Sequence, residues 1–486
     1  MLKTRLFAVL LATSALVLPA RALDATPEGA QRLKETFETY LGKPAAGAPA
    51  AVEVAPEGEG YRVNFDLAAL MRPLDAVGIK LETSLLPFTA TPKADGNWHV
   101  VAGGSMRAKA TLPQQGEETI EVNDFKLDGI FNPALAAFLD ASYEMKGMSI
   151  QQSVPNAAVS TTLGAVQHRQ SGAATGAGAF SGKSVGSVKD YAFDLTITPP
   201  ARESLPAPAP VKIGFHAAEL ASEGVMDGWR WRQMLELWAF FVAHRDRAAI
   251  AADQADLKAL LRAAAPLMDR IDAKVALNKI DVESPVGPMH ANAIGVRVES
   301  TGLAKDASFG EAFSFSGIAL PPGLAPAWAT GLVPTDASFG FKIGGLDLAE
   351  ASAKAIEVFD VNRPEIIPDG DGRALAANLL RSGVKVVIEP GRIVAPLLEI
   401  GFDGALSGTG PDTAGVINIK AKGMEAAMEA ASKGMANDMM AARAFGALAF
   451  AKGLAKPGPD GTQVWVVELA PGRGPTVNGK AIGGGK

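Results

Sequence analysis

The stretch AGAFSGKS (177–184) ends in a lysine and a serine at the spacing of a relaxed phosphate-binding loop. In that chemistry Lys183 would reach a phosphate and Ser184 a magnesium ion. The loop needs a buried strand before it and a helix after it, so that amides and helix dipole point at the phosphate. Neither flank fits. HRQSGAATG before it is polar and small, and Tyr191, Phe193, Leu195 and Ile197 after it alternate as a strand. The stretch reads as a Gly/Ser hairpin loop. SGVK (382–385) has the Ser-x-x-Lys spacing of penicillin-recognising enzymes, which need one helical turn between the two side chains. Here Gly383 has the place of a C-cap to a helix over 372–381, and Lys385 starts the apolar run KVVIEP. PDGDGR (368–373) suggests calcium, but Asp369, Asp371 and Gly372 at loop positions 3, 5 and 6 put Ile367 at position 1 and Asn378 at position 12. Those two positions require carboxylates, so Asp371 is better read as a helix N-cap. The histidines stand at 99, 168, 216, 244 and 290, none three or four residues from another, so no local zinc site is encoded. His99 and His216 read as solvated or capped. Two acids on neighbouring strands could still form a dispersed hydrolytic pair, so a hydrolase stays as a remote alternative.

One pattern points to a surface rather than to a reaction. Met424, Met428, Met435 and Met439 recur on one helical stripe, with Ala431 and Ala442 between them. The thioether is unbranched and polarisable, so such a stripe can form an adaptable wall for a lipid chain or a partner helix. It can also fill the gap between a helix and a sheet. Trp231, Leu235, Trp238 and Val242 form a second stripe. The lack of a Lys/Arg-rich polar face favours tryptophans that pin a helix onto a sheet over a membrane anchor.

The elements that must carry these residues are mostly strands. After a helix over 26–42, with Leu33, Phe37 and Leu41 on one face, the linker KPAAGAPAA leads into YRVNFDL, a hairpin in PFTATPKADGNWHVV, and the strands IEVNDFKLDGIF and YAFDLTITP. PPARESLPAPAP (199–210) is a second linker and the main boundary candidate, and helical patterns run from there to Ile271. Strands return after Lys274, with helices at about 349–360, 372–381 and 424–450. The expected fold is α+β, with long curved antiparallel sheets and helices packed on one face of an elongated molecule. The expected segments are 1–22, 23–51 (helix and linker), 52–198 (β-rich), 199–210 (linker), 211–272 (helical insertion) and 273–486 (β-rich with helices).

A glycine recurs where strands end. FKLDGI (125–130), FSFSGI (313–318), FKIGGL (341–346) and IKAKGM (419–424) each place apolar residues of one parity before the glycine and of the other parity after it. A two-residue period cannot do this without a break, so each glycine is expected to make a bulge or kink that switches the covered face. Three copies are expected to lead into helices, the first through an Asn132 N-cap and Pro133, with Leu135, Phe138, Leu139 and Tyr143 on one stripe.

The ends and the charge set a compartment. Lys3 and Arg5, the apolar run LFAVLLATSALVLP and the small-x-small ARA form a secretory leader, with cleavage expected between Ala22 and Leu23. The run is 14 residues, short of the roughly 20 that a spanning helix needs. MLELWAFFVA (234–243) is shorter and holds Glu236, so no later segment is expected to span a membrane. There are no cysteines, hence no disulfide and no thiolate nucleophile. Losing Lys3, Arg5 and Arg21 with the leader lowers the formal charge from −6 to −9. An acidic chain without a basic block is a poor partner for nucleic acid.

The leader, the absence of cysteine, the strand ladders, FDGALSGTG with GVINIKAKGMEAAMEAAS, and the terminal VWVVELAPGRGPTVNGK together resemble a Gram-negative envelope family, that of domain of unknown function 2125. The AsmA-like and 945-type periplasmic proteins are more distantly similar. The resemblance implies an exported protein of long curved sheets with packed helices; it supplies no catalytic residues and no cofactor. Its AsmA-like side implies the handling of lipid or another apolar ligand. The expectation is a periplasmic, non-enzymatic binding or carrier protein. The alternative is a structural or assembly factor that meets another envelope protein through a strand edge.

Overall fold

The Thr26 hydroxyl accepts the Gly29 amide at 3.1 Å and opens α1 (Pro27–Leu41), with Pro27 at a position where a missing N–H costs nothing. The computed structural model describes residues 25–43, 50–72, 78, 80–112, 116–199, 209–381, 383–409 and 412–482. The chain forms two compact units: one holds the residues up to Ile271 together with Ser352–Gly372, the other holds Asp272–Ala351 and Arg373 onward. Each is built on an antiparallel ladder.

In the first unit the strands are β1 (Val52–Glu57), β2 (Gly60–Phe65), β3 (Lys80–Thr83), β4 (Leu86–Pro92), β5 (Trp98–Leu112), β6 (Gly116–Asn132), β7 (Ala137–Val154), β8 (Ala157–Thr175), β9 (Ala179–Ile197) and β10 (Val211–Trp229). They pair in the order β1-β2-β4-β5-β6-β7-β8-β9-β10, with β3 beside β5. The alternation expected in YRVNFDL holds, since Tyr61, Val63 and Phe65 are buried with Leu33 and Phe37 of α1 and with Trp98 and Val100 of β5. Each such side chain contributes about 1.5–3 kcal/mol by leaving water. The short α2 (Leu67–Met71) follows β2, capped by Asp66.

Three expectations fail in this unit. No helix follows Asn132. Its Oδ1 accepts the Leu135 amide at 2.9 Å, Ala136 takes φ +54°, and the chain turns directly into β7. The same side-chain bond that caps a helix also closes a tight turn, and cross-strand pairing chose the turn. Residues 211–229 are strand, not part of a helical region. Val211 pairs with Ile197, so the Pro/Ala segment joins two neighbouring strands and is no domain boundary. The helices of that region are α3 (Trp231–Ala243), α4 (Arg247–Ala252) and α5 (Gln254–Ala264). Finally, the Gly/Ser loop shrinks to 176–178, because Ala179 and Phe180 are already buried in β9.

The long strands change parity midway, though not at Gly129. On β7 the inward side chains are Leu139, Ala141, Tyr143 and Met145, then Met148 and Ile150; the change falls at Gly147, φ +61°. On β9 it falls at Asp190, φ +53°. On β6 two residues oppose one of β5 between the pairs Gly104↔Phe125 and Met106↔Val122. Along β5 the apolar side chains Val100, Ala102, Met106 and Ala110 keep one parity. The extra residue on β6 therefore holds Ile120 and Val122 on the same face as Leu127 and Phe131. The expected switch of face is corrected: these bulges preserve the face. Gly129 itself is a close approach, where a Cβ would lie 2.8 Å from the Phe138 ring.

The second unit carries β12 (Met289–Thr301), β13 (Ala307–Ser316), β14 (Asp336–Leu346), β15 (Lys385–Val394), β16 (Glu399–Ser407), β17 (Ala414–Lys422) and β19 (Gln463–Leu469), paired in that order, with β20 (Thr476–Val477) and β21 (Lys480–Ala481) beyond and the two-residue β18 (Lys456–Pro457) against β19. β11 (Arg270–Glu283), α6 (Leu348–Val358) and α7 (Asp369–Arg381) contain the points where the chain passes between units. Two of the four glycine junctions do join strand to helix. At FKIGGL, Ala307 faces Leu346 and Phe309 faces Ile343, a bulge at Gly344 and Gly345 that again keeps Leu346 on the face of Ile343. At IKAKGM, Gly423 (φ +92°) is the N-cap of α8 (Met424–Gly434). At FSFSGI, Gly317 ends β13 and a loop follows.

The expected single helix over 424–450 is two helices. Asp438 caps α9 (Met439–Leu454), accepting the Met440 amide at 2.8 Å and the Trp328 indole N–H at 2.8 Å. Gly434, Ala427, Ala431 and Ala441 let α8, α9 and the Trp328 ring approach closely.

Candidate functional site

Pairing register sorts the side chains of the second ladder onto two faces. Positions directly opposite one another share a face, so the set can be followed strand by strand. β12 presents Ile294, Val296 and Val298; β13 presents Phe309, Glu311, Phe313 and Phe315; β14 presents Phe339, Phe341 and Ile343. β15 and β16 continue it with Val386, Ile388, Ile393, Ile400, Phe402 and Leu406, and β17 with Ile417 and Ile419. The other face carries ions. Arg297 grips Asp272 with two bonds of 2.9 Å, and Lys342 reaches Glu299 at 2.7 Å. The hydrogen bonds that Arg297 donates to the Asp272 carboxylate raise the pKa of its guanidinium above the usual value.

Among the described residues, helices pack on one end of the apolar face. There Leu448, Ala451 and Leu454 of α9 and Met424 of α8 pack on Ile419, Ala421 and Trp465, and the Trp465 indole donates to the Ala451 carbonyl at 2.7 Å. From β12 to β15 the named apolar side chains belong to no buried cluster, whereas Ile400 of β16 already packs against the covered end, and Phe309 and Phe339 stay 42% and 46% exposed. Five strand spacings of about 4.8 Å make the face from β12 to β17 roughly 24 Å wide. That exceeds the roughly 15 Å half-thickness of a bilayer's hydrocarbon. In the first unit the far halves of β7–β10 show the same partial cover at Ile150, Leu163, Leu195 and Phe215.

The four methionines do not form one wall. Met424 is buried in the core, Met428 is half-buried on α8, Met435 is 42% exposed between the helices, and Met439 is 72% exposed at the start of α9. The Asp438 cap turns the chain between the last two, which breaks the stripe. Ala22 and Leu23, the expected cleavage site, lie outside the described residues, as does Ser382.

Lys183 and Ser184 sit within β9, paired with Val225 and Gly224 on one side and Ser171 and Gln170 on the other, so no phosphate loop exists there. GKSVG (182–186) has the G-x-S-x-G spacing that marks a nucleophile elbow, but it lies mid-strand in β9 and lacks the strand-to-helix turn that elbow needs. Asp371 lies in the first turn of α7, whose first bond runs from Gly372 N–H to the Pro368 carbonyl, so it is not the N-cap. Four histidines each face an aspartate: His99 with Asp128, His216 with Asp194, His244 with Asp253 and His290 with Asp281. No cluster of metal-ligating side chains occurs among the described residues. Trp231 stacks on Trp229 at 4.7 Å and packs into the core, while Trp238 donates to the Tyr40 carbonyl at 2.7 Å, so this stripe fastens α3 to its neighbours. A polar cleft of ≈ 240 Å³ beside Gln254, Lys258, Glu357 and Asp360 is laced by its own bonds, with Lys258 donating to the Glu357 carbonyl at 2.9 Å and Gln254 accepting the Val361 amide. No helix among the described residues is long and apolar enough to cross a membrane.

No family model matches the chain, and no curated protein or solved structure is similar enough to count as a match.

Proposed function

We propose that this chain is an exported, periplasmic protein of the domain-2125 type that binds or carries a lipid or other apolar ligand of the cell envelope. One observation carries the reading: the apolar face of β12–β15 is continuous and left part-exposed by the described residues, whereas its extension, from Ile400 of β16 over β17 and β19, packs against α8 and α9. Each methylene laid on such a face contributes about 0.8 kcal/mol. A patch this large on a soluble chain marks an interaction site. Export rests on the leader pattern of residues 1–22. Native extraction followed by lipid mass spectrometry is expected to find lipid bound in amounts comparable to the protein; clean protein would sink the proposal.

A second reading, a structural or assembly factor, has its own support. The outer side of α9 exposes Met439, Met440 and Phe450 around Arg443. Crosslinking in intact cells through this helix would capture one dominant envelope protein on that reading, and lipid alone on the first.

A further inference from the structure

Glu311 is the one charged side chain on the apolar face at the paired positions of β12 to β17. It is exposed and makes no hydrogen bond or ion pair through its carboxylate with any described residue. Its direct cross-strand neighbours are Phe341 and Val298, and Phe309 and Phe313 flank it two residues away on its own strand. Phe309 and Phe341 have ring centroids 6.4 Å apart, and Phe313 meets Phe339 at 5.5 Å. The nearby cations, Arg297 and Lys342, are on the opposite face and engaged by Asp272 and Glu299.

A carboxylate ringed by phenylalanines has a specific chemical complement. Aromatic faces attract cations through the ring quadrupole, and quaternary ammonium groups are held in aromatic cages. An anionic headgroup would be repelled by Glu311, and a neutral one would leave its charge uncompensated. We infer that Glu311, with Phe309, Phe313 and Phe341, forms a recognition site for an alkylammonium group, with any chain that the ammonium carries lying on the adjoining Phe and Ile side chains. This rests on the apolar-face reading and names the headgroup class for it. The ammonium could be a lipid headgroup or a free organic cation; the chemistry is shared.

The test uses the full chain and probes with one dodecyl tail, each below its micelle concentration: dodecyltrimethylammonium, dodecyl sulfate and dodecyl maltoside. The expected wild-type order is ammonium, then maltoside, then sulfate, with the ammonium favoured about tenfold over the neutral probe. Glu311→Gln should remove that preference and leave maltoside affinity unchanged. Phe341→Leu, which keeps the face apolar, should reduce the preference in the same way. An undiminished preference in Glu311→Gln, or none in the wild type, overturns the inference. Failure of all three probes to bind overturns the apolar-face reading instead. Displacement of the ammonium probe by tetramethylammonium alone would assign the site to a free cation. Preference intact without displacement would assign it to a headgroup carried on a chain; both outcomes uphold ammonium recognition.

Discussion

His244 shows what a single side chain does at the end of α3. Its Nδ1 lies 2.7 Å from the Phe240 carbonyl and its Nε2 2.7 Å from an Asp253 carboxylate oxygen, and the ring stacks on Phe240 at 3.9 Å. Both nitrogens face acceptors, an arrangement that favours the doubly protonated ring. The Asp253 hydrogen bond, the Phe240 carbonyl and the more distant Asp256 all raise the imidazole pKa above its usual value. A raised folded pKa stabilises the fold fully below the unfolded value of about 6.5, and that share is lost as pH rises through the folded value. His244→Ala should therefore lose more stability at pH 5.5 than at pH 9, measured by urea unfolding. An equal loss at both would show that the charge has no part. The spacing of histidines excluded a local zinc site, but the aspartate facing each of four of them comes from register and turn geometry, which local sequence does not display.

At the scale of elements, the glycine junction was legible and its purpose was not. FKIGGL and IKAKGM bend as their parity suggests, yet the bulge at Gly345 keeps the apolar side chains on one face. Gly423 is the tighter case, since a Cβ there would lie 2.1 Å from the Leu397 carbonyl oxygen at φ +92°. Gly423→Ala is expected to cost about 1–3 kcal/mol from backbone strain alone. Gly446, mid-helix in α9 with nothing near its missing Cβ, provides the contrast. Gly446→Ala should stabilise by about 0.5–1 kcal/mol. Thermal unfolding of the two variants should move in opposite directions; a shared direction would contradict the role given to Gly423. The strand at 211–229 falls in a region expected to be helical, and its HAAEL carries the Ala and Glu that favour helix. Pairing with β9 over nearly its whole length outweighed that propensity. The methionine stripe failed for a local reason: Asn437-Asp438 is a cap signal inside an otherwise unbroken helical pattern.

At the scale of the molecule, alternating strands announced an antiparallel α+β protein, and the ladders of both units bear that out. Alternation shows which side chains share a face, but not whether another layer lies on top. That depends on where α8 and α9 fold back, and they stop at the end of the face, over β17, β19 and Ile400 of β16. Phe339 and Ser338 are adjacent on β14, both exposed, and belong to opposite faces. A photoreactive benzoylphenylalanine placed at 339, and separately at 338, separates the two faces within one strand. After irradiation in intact cells, lipid adducts are expected at position 339 and not at 338. Equal labelling at both positions, or lipid at neither, would contradict the claim that the open apolar face is the binding surface.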